Sequence, residues 1–118
     1  MLLTMALLAA VPQTQAQMTR SAGAAYVSAD AAMTRAWKQA YAYMKGRDSR
    51  DTSRGGGFGY AAALLESQRT WLKFRDAECV IEGGEFAGGS MQTMTITACR
   101  TRLTTARTVQ LKSLMWKR

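Results

Sequence analysis

Two glycine-rich joints divide this chain into three stretches of helical period, and that division constrains the fold more than any other feature. The first joint runs from Arg47 to Gly59 and carries Asp, Arg and Ser before Gly55-Gly56-Gly57-Phe58-Gly59. That composition marks a flexible connector. The second is punctuated by Gly83-Gly84 and Gly88-Gly89. Strand signals are weak, because Met94-Thr95-Ile96-Thr97 is short and lies inside a helical pattern. A length of 118 residues fits one domain. It excludes a dinucleotide-binding enzyme with a second domain and a TIM barrel.

The first helix is predicted from Tyr26 to Met44. Tyr26, Met33, Trp37, Tyr41 and Met44 form one apolar face, and Ala29, Ala36 and Ala40 fill the gaps. Ser28 is the expected cap and Gly46 the expected stop. The second helix is predicted from about Tyr60 to Ile81. Its face comprises Leu64, Leu65, Trp71, Leu72 and either Ala77 or Cys79, with Gln68 and Arg75 in or beside it. Ser90 is a good N-cap for a third helix, from Met91 to about Trp116. There Ile96, Cys99, Leu103, Ala106, Gln110 and Leu114 recur at three- and four-residue steps, and Leu111 broadens the stripe. The expected fold is all-α, a small three-helix domain. The last two helices form a hairpin and the first packs across it.

Met1 to Ala16 carries no charge. An apolar run from Leu2 to Val11 is broken by Pro12, and Thr14-Gln15-Ala16 resembles a small-x-small cleavage box. The run is too short to span ~30 Å of hydrocarbon. Residues 1–16 therefore read as a signal peptide and 17–118 as the mature domain, periplasmic or secreted, with no transmembrane segment after signal removal. In an oxidising compartment Cys79 and Cys99 are expected to pair. Closing a loop of about 20 residues stabilises by roughly 3 kcal/mol in the chain-entropy model.

The chain has no histidine and two cysteines, with Lys+Arg 16 against Asp+Glu 8 for a net charge of +8. Histidine-based catalysis and four-thiolate zinc are thereby excluded. No Gly-Lys-Ser/Thr follows the first joint, so it is not a phosphate loop. Asp76, Glu78, Glu82 and Glu85 form an acidic cluster. Glu78 and Glu82 are successive turns of one helix, which offers no cleft with carboxylates at opposed positions for glycoside hydrolysis. Nor is the pattern an EF-hand loop. The expectation is a non-enzymatic protein without metal or cofactor.

Helix two contains Gln68-Arg69-Thr70-Trp71 and Phe74-Arg75-Asp76-Ala77-Glu78-Cys79, followed by Gly88-Gly89-Ser90, Cys99, Leu103-Thr104, Arg107 and Leu111. This resembles the LprI-like lysozyme-inhibitor family of bacterial cell-envelope domains. Its pattern is roughly Q-R-x-W-x-x-[FY]-R-D-x-x-C, then G-G-S, a second Cys and L-T-x-x-R-x-x-x-L. Asp30, Met33 and Trp37 resemble the family's first-helix pattern. The resemblance covers about residues 28–114 and is specific from Gln68 to Leu111. Further upstream cysteines found in many relatives are missing here, so the first helix is expected to be held by packing. There is also no lipobox cysteine at the expected cleavage site.

The resemblance implies an exported inhibitor that occludes the cleft of a lysozyme-type muramidase. Gln68, Arg69, Trp71, Arg75, Asp76, Leu103, Thr104 and Arg107 are then structural or recognition residues. Trp71 and Arg75 share a helix face and can stack, Arg75 can reach Glu78, and Asp76 can meet a cation or the helix start near Ser90. The candidate insertion loop is Ile81–Ser90, with Glu82, Glu85, Phe86, Gly88, Gly89 and Ser90. Its acidic residues would face the basic rim of a lysozyme. Many animal lysozymes are basic, so a +8 chain meets them against long-range repulsion. A local acidic patch acts only within a Debye length of ~8 Å. The second reading is a basic envelope module that binds anionic polymers, lipids or an acidic partner. It rests on Arg100, Arg102, Arg107, Lys112, Lys117 and Arg118 of the last helix and tail, and on Arg47, Arg50 and Arg54 of the connector. No nucleic-acid-binding motif accompanies them.

Overall fold

Three long helices make up most of the described residues, and each begins or ends for a local chemical reason. The computed structural model describes residues 14–53 and 55–115. Met1 to Gln13, most of the expected signal segment, and the tail from Trp116 lie outside the described residues. Helix α1 spans Gln15–Arg50, α2 spans Tyr60–Gly83 and α3 spans Met91–Ser113, with a single 3-10 turn at Gly84–Phe86. No strand occurs among the described residues. The expected all-α three-helix architecture is what the chain adopts.

α1 is longer than its apolar stripe indicates. At 36 residues it is about 54 Å long at 1.5 Å per residue. It starts at a capping box: the Thr14 hydroxyl accepts from the Gln17 amide, and the Gln17 side chain accepts from the Thr14 amide. Ser28 therefore lies inside the helix and caps nothing. The expected cleavage point after Ala16 falls within this first turn. Gly46 does not stop the helix either, although glycine costs about 1 kcal/mol relative to alanine there. The helix continues because its last turn is anchored. The Asp48 carboxylate accepts from the Tyr60 and Ala61 amides at 2.7 and 3.0 Å, so it caps the α2 N-terminus across the connector. The connector is thus helical up to Arg50. Beyond it, Asp51 accepts from the Ser53 amide, the Ser53 hydroxyl and the Phe58 amide.

α1 lies across the α2–α3 hairpin. The core gathers Met33, Ala36, Ala40 and Met44 of α1, Ala61 and Leu64 of α2, and Leu111 of α3, flanked by Trp37, Tyr41, Trp71 and Leu72. Trp37 stacks on Tyr41 with centroids 5.2 Å apart. The α1 face matches its hydrophobic period. α3 does not: its buried residues are Cys99, Thr104, Arg107, Thr108 and Leu111, whereas Ala106 and Gln110 are exposed. The helix is rotated from the hydropathy stripe because an arginine and two threonines point inward.

At the hairpin end, the Cys79–Cys99 disulfide forms with a Cα–Cα separation of 5.5 Å. Gly83 is buried inside the last turn of α2, where a Cβ would stand 2.5 Å from Ile96 Cγ1. Its lack of a side chain, not its backbone freedom, is what the helix pair needs. Ser90 has helical φ and ψ and its side chain caps nothing. The turn relies instead on Gly88, with φ at +79° and its amide donating to Gln92 Oε1 at 3.1 Å.

Candidate functional site

Gln68 links all three helices. Its Nε2 donates to Met33 Sδ of α1 at 3.7 Å, and its Oε1 accepts from Arg107 Nε of α3 at 3.0 Å. Arg107 is 7% exposed and also donates to Ser67 Oγ at 3.1 Å and Gln110 Oε1 at 3.4 Å. No carboxylate pairs with it among the described residues. Burial pushes its guanidinium below the ordinary arginine value, although such a group stays charged at any working pH. Its electrostatic support comes from neutral acceptors and the Trp71 ring, 5.8 Å from its Cζ.

Trp71 lies within cation–π range of a second guanidinium. Arg75, four residues on, sits 5.5 Å from the Trp71 ring and 5.5 Å from Tyr26 of α1. Arg75 is equally buried; its Nη1 donates to Thr104 Oγ1 at 3.4 Å and its Nε to Asp76 Oδ1 at 3.0 Å. The expected reach to Glu78 is replaced by this adjacent carboxylate. Asp76 also pairs with Arg100 at 3.4 Å, so its partners are cations and not the Ser90 region. Gln68, Trp71, Arg75, Thr104 and Arg107 therefore form one polar and aromatic seam. Leu103 is half-buried beside it and Arg69 is exposed outside it. The sequence pattern grouped these residues but missed the seam's main bond. Arg107 was expected on a basic surface, and instead it is inside. Its pairing with Gln68, 39 positions away, has no intrahelical spacing to signal it.

The second group lies at the hairpin end. Glu82 does not present a free carboxylate there, because Arg102 Nη2 bonds both its oxygens at 2.7 and 2.9 Å. Glu82 also lies close to the two cysteine sulfurs. Those sulfurs are bonded to each other and Arg102 holds the carboxylate, so this cluster has no thiolate to offer a metal. Glu85 is exposed and Glu78 half-buried, and neither has a cationic partner among the described residues. Beside them stand large apolar side chains in contact with water: Val80 at 58%, Ile81 at 71% and Phe86 at 38% exposed. Phe74 and Ala77 extend the α2 part of this face at three- and four-residue steps, both exposed. Gly88, Gly89 and Ser90 form the exposed turn next to it.

The family model described as "Lysozyme inhibitor LprI" matches residues 9–111. The chain belongs to the LprI family. An uncharacterized protein of Rhizobium meliloti (strain 1021) is 35% identical over 91 residues, a match that takes in 76% of this chain and 66% of that protein. The match thus spans just under two thirds of the relative's length. No solved structure gives a significant match. Among the described residues, no helix is long and apolar enough to cross a membrane.

Proposed function

We propose that this LprI-family chain is an exported, non-enzymatic lysozyme inhibitor that blocks a muramidase with its hairpin end. On this reading residues 1–16 are a signal peptide, the mature form begins near Gln17, and the protein works in the periplasm or outside the cell. The observation that carries the reading is the water-exposed apolar group Val80, Ile81 and Phe86, held on a hairpin end fixed by the Cys79–Cys99 bond. Apolar side chains clustered in water beside polar residues mark contact surfaces. A disulfide-fixed end also loses little conformational freedom on docking. Glu78 and Glu85 give this end local negative charge on a basic chain, whereas Glu82 is already neutralised by Arg102.

The Gln68–Trp71–Arg75–Arg107 seam then has a different task. It holds the hairpin to α1, and its buried members reach no partner. The alternative of a basic surface for anionic polymers is weakened by the same geometry. Arg107 is inside, and Arg100 and Arg102 already face Asp76 and Glu82. The test is clearing of a bacterial cell-wall suspension by an animal and a bacterial muramidase, with and without the chain, at two salt concentrations. Stoichiometric inhibition that survives neutralisation of Arg100 supports the proposal. No inhibition at micromolar excess, or inhibition abolished by that change, contradicts it.

A further inference from the structure

The outer face of α1 carries cations that the fold does not use. At about 100° per residue, Arg20, Val27, Arg35, Lys38 and Lys45 fall within an arc of about 80°. This arc is turned away from the buried Met33, Ala36, Ala40 and Met44. All five residues are exposed, Val27 by 68%. Arg20, Arg35 and Lys38 make no ion pair with any described residue. Lys45 stands 4.9 Å over the Tyr41 ring and has no carboxylate partner there either.

The carboxylates of α1 are Asp30 and Asp48. They remain charged, but neither stands among the four cations. Both lie on one line along the helix, about 60° beyond the edge of the arc. Both are half-buried, and Asp48 is turned to the Tyr60 and Ala61 amides. Ala24, Ala31 and Ala42 fill the arc between the cations and are exposed. Their short side chains leave arginine and lysine as the groups that project furthest. From Arg20 to Lys45 the row is about 38 Å long, on one uninterrupted helix. The apolar face of α1 is buried in the core, so the helix has no stripe to insert among acyl chains. What faces water is an extended row of positive charge without counter-charge.

We propose that the outer face of α1 docks the protein on an anionic lipid bilayer, with the helix lying flat against the phosphate headgroups. Charge complementarity along the whole row calls for a partner with many anionic groups in one plane. Lipids diffuse laterally and gather under each cation, whereas a flexible soluble polyanion gives up chain freedom to follow the row. Each Lys or Arg near such a surface raises affinity about fivefold. The attraction decays within a Debye length, so the contact is salt-sensitive. The face is separate from the hairpin end and from Arg100 and Arg102 of α3, and its docking does not depend on lysozyme binding.

The test is cosedimentation of the full chain with vesicles of phosphatidylglycerol and phosphatidylcholine in equal parts, beside vesicles of phosphatidylcholine alone. The expected result is binding to the anionic vesicles only, lost at about 0.5 M salt. Arg35→Gln with Lys38→Gln should weaken it at least about tenfold at unchanged Tm. Lys73→Gln with Lys112→Gln removes the same net charge from exposed positions on α2 and α3, and should change it by less than about threefold. Soluble poly-glutamate should compete at least about tenfold more weakly, charge for charge. No binding to the anionic vesicles overturns the proposal, as does binding that persists at high salt. Equal losses in the two double variants reduce the effect to net charge and overturn it. Equal competition by poly-glutamate assigns the face to a flexible polymer and also overturns it.

Discussion

Replacing Arg107 by methionine tests the seam directly. Methionine keeps much of the side-chain length, so the cavity left behind is small, but all three hydrogen bonds disappear. Two of them are short, to Gln68 Oε1 at 3.0 Å and Ser67 Oγ at 3.1 Å. Hydrogen bonds from charged groups contribute about 1.5–3 kcal/mol each. Their loss is partly offset, because the guanidinium no longer has to be desolvated without a carboxylate partner. The variant also strands Gln68 Oε1 in a residue 7% exposed, and an unpaired buried acceptor costs about 1–3 kcal/mol. The net expectation is a destabilisation of about 2–4 kcal/mol. For a domain of this size that is a fall in Tm of roughly 10–25 °C. Thermal and urea unfolding followed by far-UV circular dichroism reads both quantities. Arg69→Met, on the exposed side of α2 beside Gln68, is the control. Adding Gln68→Met to Arg107→Met removes the stranded acceptor and should recover part of the loss. The reasoning is refuted if Arg107→Met unfolds at the same temperature as Arg69→Met.

Three further outcomes follow from the geometry. Cys99→Ser should cost about 3 kcal/mol by reopening the 20-residue loop; iodoacetamide labelling of the unreduced wild type should find no free thiol. Gly83→Ala should cost about 1–3 kcal/mol in urea unfolding, because the new methyl overlaps β-branched Ile96. Asp51 is held below the usual carboxylate range by the Ser53 hydroxyl and then by the Ser53 and Phe58 amides. A depressed folded-state value gives stability that is present above the ordinary aspartate range and lost as pH falls through the lowered one. Asp51→Asn should therefore reduce Tm at neutral pH and flatten the acid limb of a Tm-against-pH curve.

Hydrophobic period located the helices and the α1 face because Met33, Ala36, Ala40 and Met44 obey it. It failed on α3 for a physical reason. Thr104, Arg107 and Thr108 are polar in sequence and buried in space, and a period count assigns such residues to solvent. The helix ends were misjudged where side chains from outside the apolar stripe set them. Thr14 with Gln17 starts α1, and Asp48 anchors its far end by capping α2. The motif residues Gln68, Trp71 and Arg75 were legible as a group, yet spacing along one helix could not reveal that Gln68 bridges Met33 and Arg107. At the hairpin end, glycines and acidic residues marked the turn. Nothing in their order signalled that Arg102 neutralises Glu82 or that Val80 and Ile81 face water.

The most direct test of the proposed inhibitory face is the half-inhibitory concentration of Ile81→Asp against lysozyme in the cell-wall clearing assay. Ile81 is 71% exposed, so the substitution leaves Tm within about 3 °C of wild type, as surface changes do. The expected result is at least a tenfold rise in that concentration, about 1.4 kcal/mol of lost contact. An Ile81→Asp protein that folds normally and inhibits as well as wild type would contradict the hairpin end as the contact surface.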